Sequence, residues 1–182
     1  MAILNPLWWQ RLRHGRGYGI HSPFAFRFIT EVLNGPYAYY AYPSIERLSA
    51  TLAGVSADEL KALFRVLVYF QPRHVAVCGE KGTPLYNAVS QITRWAVPNA
   101  CAVGPDRGCD FVVVLPGKAE EGLGVVSRQK SSAYIISAEH DCPALDEFIE
   151  KLGFGMVFTN RRSVSVIAAL PHLPAQYFQV RF

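Results

Sequence analysis

The sequence predicts a three-layer α/β sandwich with a parallel sheet core, an antiparallel C-terminal meander and an N-terminal helical extension. Three observations predict it. From residue 74 to 152, strand-like and helix-like runs alternate, which means βαβ units around a parallel sheet. Three more strand-like runs follow, at 154–159, 164–169 and 176–181, with short connections that favour antiparallel neighbours. Before residue 73 the apolar spacing is helical. Residues 1–72 therefore read as a helical extension packed on a core at 73–182, the two forming one compact unit. With 51% hydrophobic and 13% aromatic residues, 182 residues can fill such a core, and a disordered chain is excluded.

The elements follow in order. Asn5-Pro6 opens a short helix over 6–14, and Gly15 stops it. Ser22-Pro23 opens a second helix whose Phe24, Phe28, Ile29, Val32 and Leu33 share a face; Asn34-Gly35-Pro36 ends it. Tyr37, Tyr39, Tyr40 and Tyr42 form an aromatic linker, and Ser44 caps a helix over 45–53. Ser56 and Glu59 form a capping box for a helix that Gln71-Pro72 closes. His74 to Cys78 is a short strand, Gly79 to Gly82 a loop, and Thr83-Pro84 the start of a helix to about Trp95. Phe111 to Leu115 and Ala133 to Ser137 are strands, separated by a helix over 117–128 that Gly122 and Gly124 weaken. Pro143 to Leu152 is the last helix.

The stretch 99–103 poses a geometric problem. If it is a parallel strand beside 111–115, only Gly104 to Asp110 remain for the return, seven residues reaching roughly 23 to 25 Å when extended. A usual crossover needs a dozen or more. Either 99–103 is an edge segment or the sheet has lost its far half.

The net charge of +4 is unevenly placed. Arg11, Arg13, Arg16 and Arg27 precede the first acid, Glu31, and the rest of the chain holds 14 basic and 14 acidic residues. Beside Trp8 and Trp9, Arg11, Arg13 and Arg16 suit an anionic membrane or nucleic-acid surface, or they are solvated on a helix docked on its own domain. The aromatic N-terminal helices cover the domain's own sheet, a protein partner or a second subunit in a homodimer. No apolar run approaches the roughly 20 residues of a membrane span, and the apolar patch 2–9 is followed, not preceded, by arginines. The expected compartment is the cytoplasm. Cys78, Cys101, Cys109 and Cys142 form no C-x-x-C pair, so each reads as a small buried hydrophobe and no metal site is expected.

The segment Arg13-His14-Gly15-Arg16-Gly17-Tyr18-Gly19-Ile20-His21-Ser22-Pro23-Phe24 resembles the opening of a bacterial family of class I S-adenosylmethionine-dependent methyltransferases. The similarity continues through the tyrosine linker and Leu63-Phe64-Arg65-Val66-Leu67-Val68-Tyr69-Phe70-Gln71-Pro72, and returns at Gln176-Tyr177-Phe178-Gln179-Val180-Arg181-Phe182. The middle of the chain matches only by pattern, and the family is longer.

The resemblance implies a Rossmann-like fold whose first strand is 74–78, with S-adenosylmethionine as cofactor. The loop after that strand would hold its methionine part, through Gly79, Gly82 and Glu80. The family's acid falls at Val77 here. Asp106 is the one carboxylate placed to meet the ribose, or it belongs to a Gly-Pro-Asp-Arg-Gly turn. An acid near the acceptor falls at Leu115 or Pro116. At the end of the 133–137 strand, Glu139 and His140 are the catalytic candidates, while Asp141 fits a helix cap. With these acids replaced, the expectation is a degenerate, non-catalytic partner or scaffold. The alternatives are an active small O-methyltransferase and a surface-binding module.

Overall fold

The computed structural model describes residues 20–136, 143–151, 153–160 and 163–180. The expected helix 6–14, the arginines at 11, 13 and 16, Trp8, Trp9, Glu139, His140, Asp141 and Cys142 lie outside them.

Ser22 accepts from the Ala25 N–H and starts α1 at Pro23–Arg27, which widens into a π-helix over Phe28–Leu33. One uniform α-helix was the expectation. The Asn34 N–H reaches back five residues to Ile29 O at 3.0 Å. The carbonyls of Val32 and Leu33 are taken by one side chain: Arg65 donates through Nε and Nη2, each at 2.5 Å, and through Nη1 to the Tyr42 hydroxyl at 2.9 Å. The wider turn leaves Phe28, Ile29, Val32 and Leu33 all buried.

Helix α2 spans Tyr42–Ser49, three residues earlier than expected at its start. Pro43 sits in its first turn, where its fixed φ suits a helix start, and no side chain caps it. Helix α3, Ala57–Phe70, carries the capping box as expected, and Gln71 ends it in the left-handed region at φ 46°. The remaining helices are α4 Pro84–Ala96, α5 Ala119–Gln129 and α6 Pro143–Glu150.

The strands are β1 His74–Cys78, β2 Cys101–Val103, β3 Phe111–Val114, β4 Ser132–Ile136, β5 Met156–Thr159, β6 Val164–Ala168 and β7 Gln176–Gln179. They form one mixed sheet in the order β2-β1-β3-β4-β6-β5-β7. The β2–β1, β1–β3, β3–β4 and β5–β7 pairs are parallel. Only β6 runs the other way, between β4 and β5.

This corrects the meander. β6 pairs with β4 on one side and β5 on the other, so it has no free edge for β7. The chain crosses the start of β5 instead and lays β7 parallel on its far side. Gly155, at φ +89°, donates to Leu173 O and accepts from the Gln176 N–H. A Cβ there would stand 2.7 Å from Ala168 O, so the tight passage needs glycine.

The two sheet faces are covered separately. Helices α1 to α4 bury Val75, Phe111, Val113, Leu115, Tyr134, Phe158 and Val166 on one face. Helices α5 and α6 bury Ala76, Cys78, Val112, Val114, Ile135 and Ile167 on the other. Phe28 joins α1 to the first face: its ring lies 4.9 Å from Phe158, 5.8 Å from Phe70 and 5.3 Å from Tyr69. Tyr134, fully buried in β4, donates its hydroxyl to Glu59 O at 2.6 Å and ties α3 to the sheet centre. Among the described residues, no helix is long and apolar enough to cross a membrane.

Arg65→Ala should cost about 3 kcal/mol in a urea unfolding experiment, the scale of charged hydrogen bonds lost at buried carbonyls. Arg65→Lys should recover only part, because an ammonium cannot fork across two carbonyls.

Candidate functional site

Open α/β sheets bind ligands outside the carboxyl ends of their strands, where successive connections leave in opposite directions. Here that point lies between β1 and β3: the chain goes from β1 outward to β2, then back past β1 to β3. The loops that meet there are 79–83 and 115–118.

Gly79 follows β1, and the Leu115 N–H donates to Cys78 O at 2.9 Å, so the two strand ends are laced together. Gly82 adopts φ +88° with open space around it. Thr83 closes the loop, donating to Glu80 O at 2.9 Å and accepting from the Tyr86 N–H as the cap of α4. Gly79, Glu80 and Gly82 therefore share one loop, with the Glu80 side chain exposed. Lys118 sits at the start of α5 and pairs with Glu121 at 3.0 Å, which raises the Lys118 pKa. Burial pushes the Cys78 thiol up to about 11, with the Glu121 charge adding to it. That keeps it a neutral core group.

The resemblance puts a cofactor acid at Val77 and an acid near the acceptor at Leu115 or Pro116, and all three are apolar. Val77 and Leu115 both pack into the layer under α1 to α4.

Asp106 is elsewhere. β2 pairs with β1 only from His74 to Ala76, so it stops two residues short of the end of β1. The chain turns at once, with the Arg107 N–H on Gly104 O at 3.0 Å and Asp106 exposed at the turn. Gln129, the last residue of α5, then holds the return. Its Nε2 donates to Pro105 O at 3.1 Å and Arg107 O at 2.9 Å, and its Oε1 accepts from the Cys109 N–H at 2.7 Å. Because α5 runs from the carboxyl end of β3 back to the amino end of β4, Gln129 stands at the amino edge of the sheet. Asp106 is thus drawn toward the edge opposite Gly79 and Gly82. Next along, Asp110 accepts from the N–H groups of Arg73 at 2.9 Å and His74 at 3.1 Å, fixing the starts of β1 and β3.

The geometric problem at 99–103 is solved by brevity: β2 has three residues, so the return descends about 10 Å and crosses two strand spacings of about 5 Å each, within reach of seven residues. Sequence reasoning missed Gln129 and Asp110. Asp110 could have been found as the polar residue opening an otherwise apolar strand; nothing marks Gln129.

The expectation that every cysteine is buried fails at Cys101, which lies exposed on the edge strand, while Cys78 and Cys109 are buried. Among the described residues, no cluster of His, Cys, Asp and Glu could hold a metal ion. No protein-family model matches the chain, and neither a curated protein nor a solved structure matches it. The methyltransferase resemblance therefore rests on the segments 13–24, 63–72 and 176–182 and the tyrosine linker.

Maleimide should label the Cys101 peptide of the folded protein within minutes at neutral pH, and the Cys78 and Cys109 peptides only after unfolding. Peptide mass spectrometry reads the difference; rapid labelling of Cys78 would contradict its burial.

Proposed function

We propose that this chain is a methyltransferase-like Rossmann domain that does not transfer methyl groups and acts as a non-catalytic partner or scaffold for another protein. The observation that carries the reading is the division of the cofactor candidates. Gly79, Glu80 and Gly82 stand at the carboxyl edge of the sheet, while Gln129 holds the Asp106 turn toward the amino edge. Among the described residues the sheet also stops at a three-residue β2, with no strand beyond it against which an adenosine could rest. Val77 and Leu115 supply no carboxylate where the resemblance implies one.

The residues present therefore do not fit S-adenosylmethionine. Each lost charged hydrogen bond to a ligand weakens binding by about 1.5 to 3 kcal/mol, and two such losses take a micromolar ligand to roughly millimolar or weaker. Glu139 and His140 remain the proposed catalytic pair of the rival reading, an active O-methyltransferase.

Calorimetric titration with S-adenosylhomocysteine tests the proposal. The expected result is no saturable heat up to roughly millimolar ligand. A dissociation constant in the low micromolar range would overturn it.

A further inference from the structure

The switch-point crevice between β1 and β3 is the default ligand site of an open α/β sheet, whatever ligand the sheet serves. Among the described residues, the side chain nearest the open face of Gly79 there is Leu115. A Cβ built on Gly79 would lie 2.8 Å from Leu115 Cγ and 3.1 Å from Leu115 Cβ, with Leu115 Cδ1 closer still. The Cγ and Cδ1 contacts are the severe ones, both under 3.0 Å, and truncating Leu115 to alanine removes them; the Cβ contact that stays is tight but close to an ordinary one. Leu115 is 4% exposed and belongs to the same apolar cluster as Val75, Val113 and the α4 residues Val89 and Ile92. Val77 lines the same side.

A glycine at this point of such a sheet usually lets a ligand approach the backbone. Here the space that glycine leaves is taken by protein.

We infer that Leu115 is a plug: it fills the concavity over Gly79 and converts the crevice between β1 and β3 from a ligand site into part of the core. The inference goes beyond the absence of methyl transfer, because it closes this place to nucleotides and dinucleotides as a class. It stands on the sheet topology and the Gly79–Leu115 contact alone, so it does not depend on the methyltransferase resemblance.

A double-mutant cycle in urea tests the packing. Gly79→Ala should destabilise the protein, since its methyl collides with Leu115, and Leu115→Ala should destabilise it by opening a void. Together they should be less harmful than the product of the two effects, by about tenfold in the unfolding constant, because the new methyl enters the space that Leu115 vacates. Should Gly79→Ala not fold alone, recovery of a folded chain in the double variant is the expected result. Additive effects, or no recovery, would overturn the plug while leaving the non-catalytic reading in place.

The closure is read separately, by amide signals of the 15N-labelled wild type. With ATP, NAD or S-adenosylhomocysteine at roughly millimolar concentration, the Gly79 and Lys118 signals should not move. Saturable movement of Gly79 with ATP or NAD overturns the plug alone; with S-adenosylhomocysteine it overturns both readings.

Discussion

The seven residues from Gly104 to Asp110 are the constraint on which the rest of this sheet depends. A return that short cannot carry a helix, so it limits how far β2 can climb beside β1 and leaves β2 as the sheet's edge. It also needs anchoring, because an exposed loop that orders seven residues loses backbone entropy with little burial to offset it. Gln129 and Asp110 provide that anchoring. One side chain occupies backbone groups of three loop residues, and the other joins the loop's end to the start of β1. Both sit at the amino edge of the sheet, so the loop is pulled away from the edge where ligands bind in such folds.

At the opposite edge the same theme appears in apolar form. Leu115 and Val77 belong to the layer that α1 to α4 cover, and that layer extends to the strand ends. The helices that cover it are themselves held by two specific devices. Arg65 serves the carbonyls at the end of the π-helix, and Phe28 carries α1 onto β5 and the end of α3. Core packing has thus extended over positions that a binding site would leave polar and open.

Most of the fold was legible in local chemistry. The Ser22 and Ser56 caps, the Gln71-Pro72 stop and the Thr83-Pro84 start each appear where expected, because capping is decided by neighbours in the chain. The errors come from non-local facts. The alternation of β7 fits either an antiparallel place beside β6 or a parallel place beside β5; only the insertion of β6 between β4 and β5 decides it. The carbonyls that end the π-helix are taken by Arg65, which is 32 residues from Leu33 in sequence. The site was legible in part. That Val77 and Leu115 are apolar is plain in the sequence, and so is the turn around Asp106. That the turn is drawn to the amino edge is not, because Gln129 does so from 22 residues away.

The direct test of this account is where Asp106 stands. Nitroxide labels can be placed at positions 82, 106 and 130 in a background lacking Cys101 and Cys142, and the pairwise distances measured by pulsed electron paramagnetic resonance. The label at 106 should lie closer to 130, next to Gln129, than to 82. A label at 106 that lies closer to 82 would return Asp106 to the carboxyl edge and contradict it.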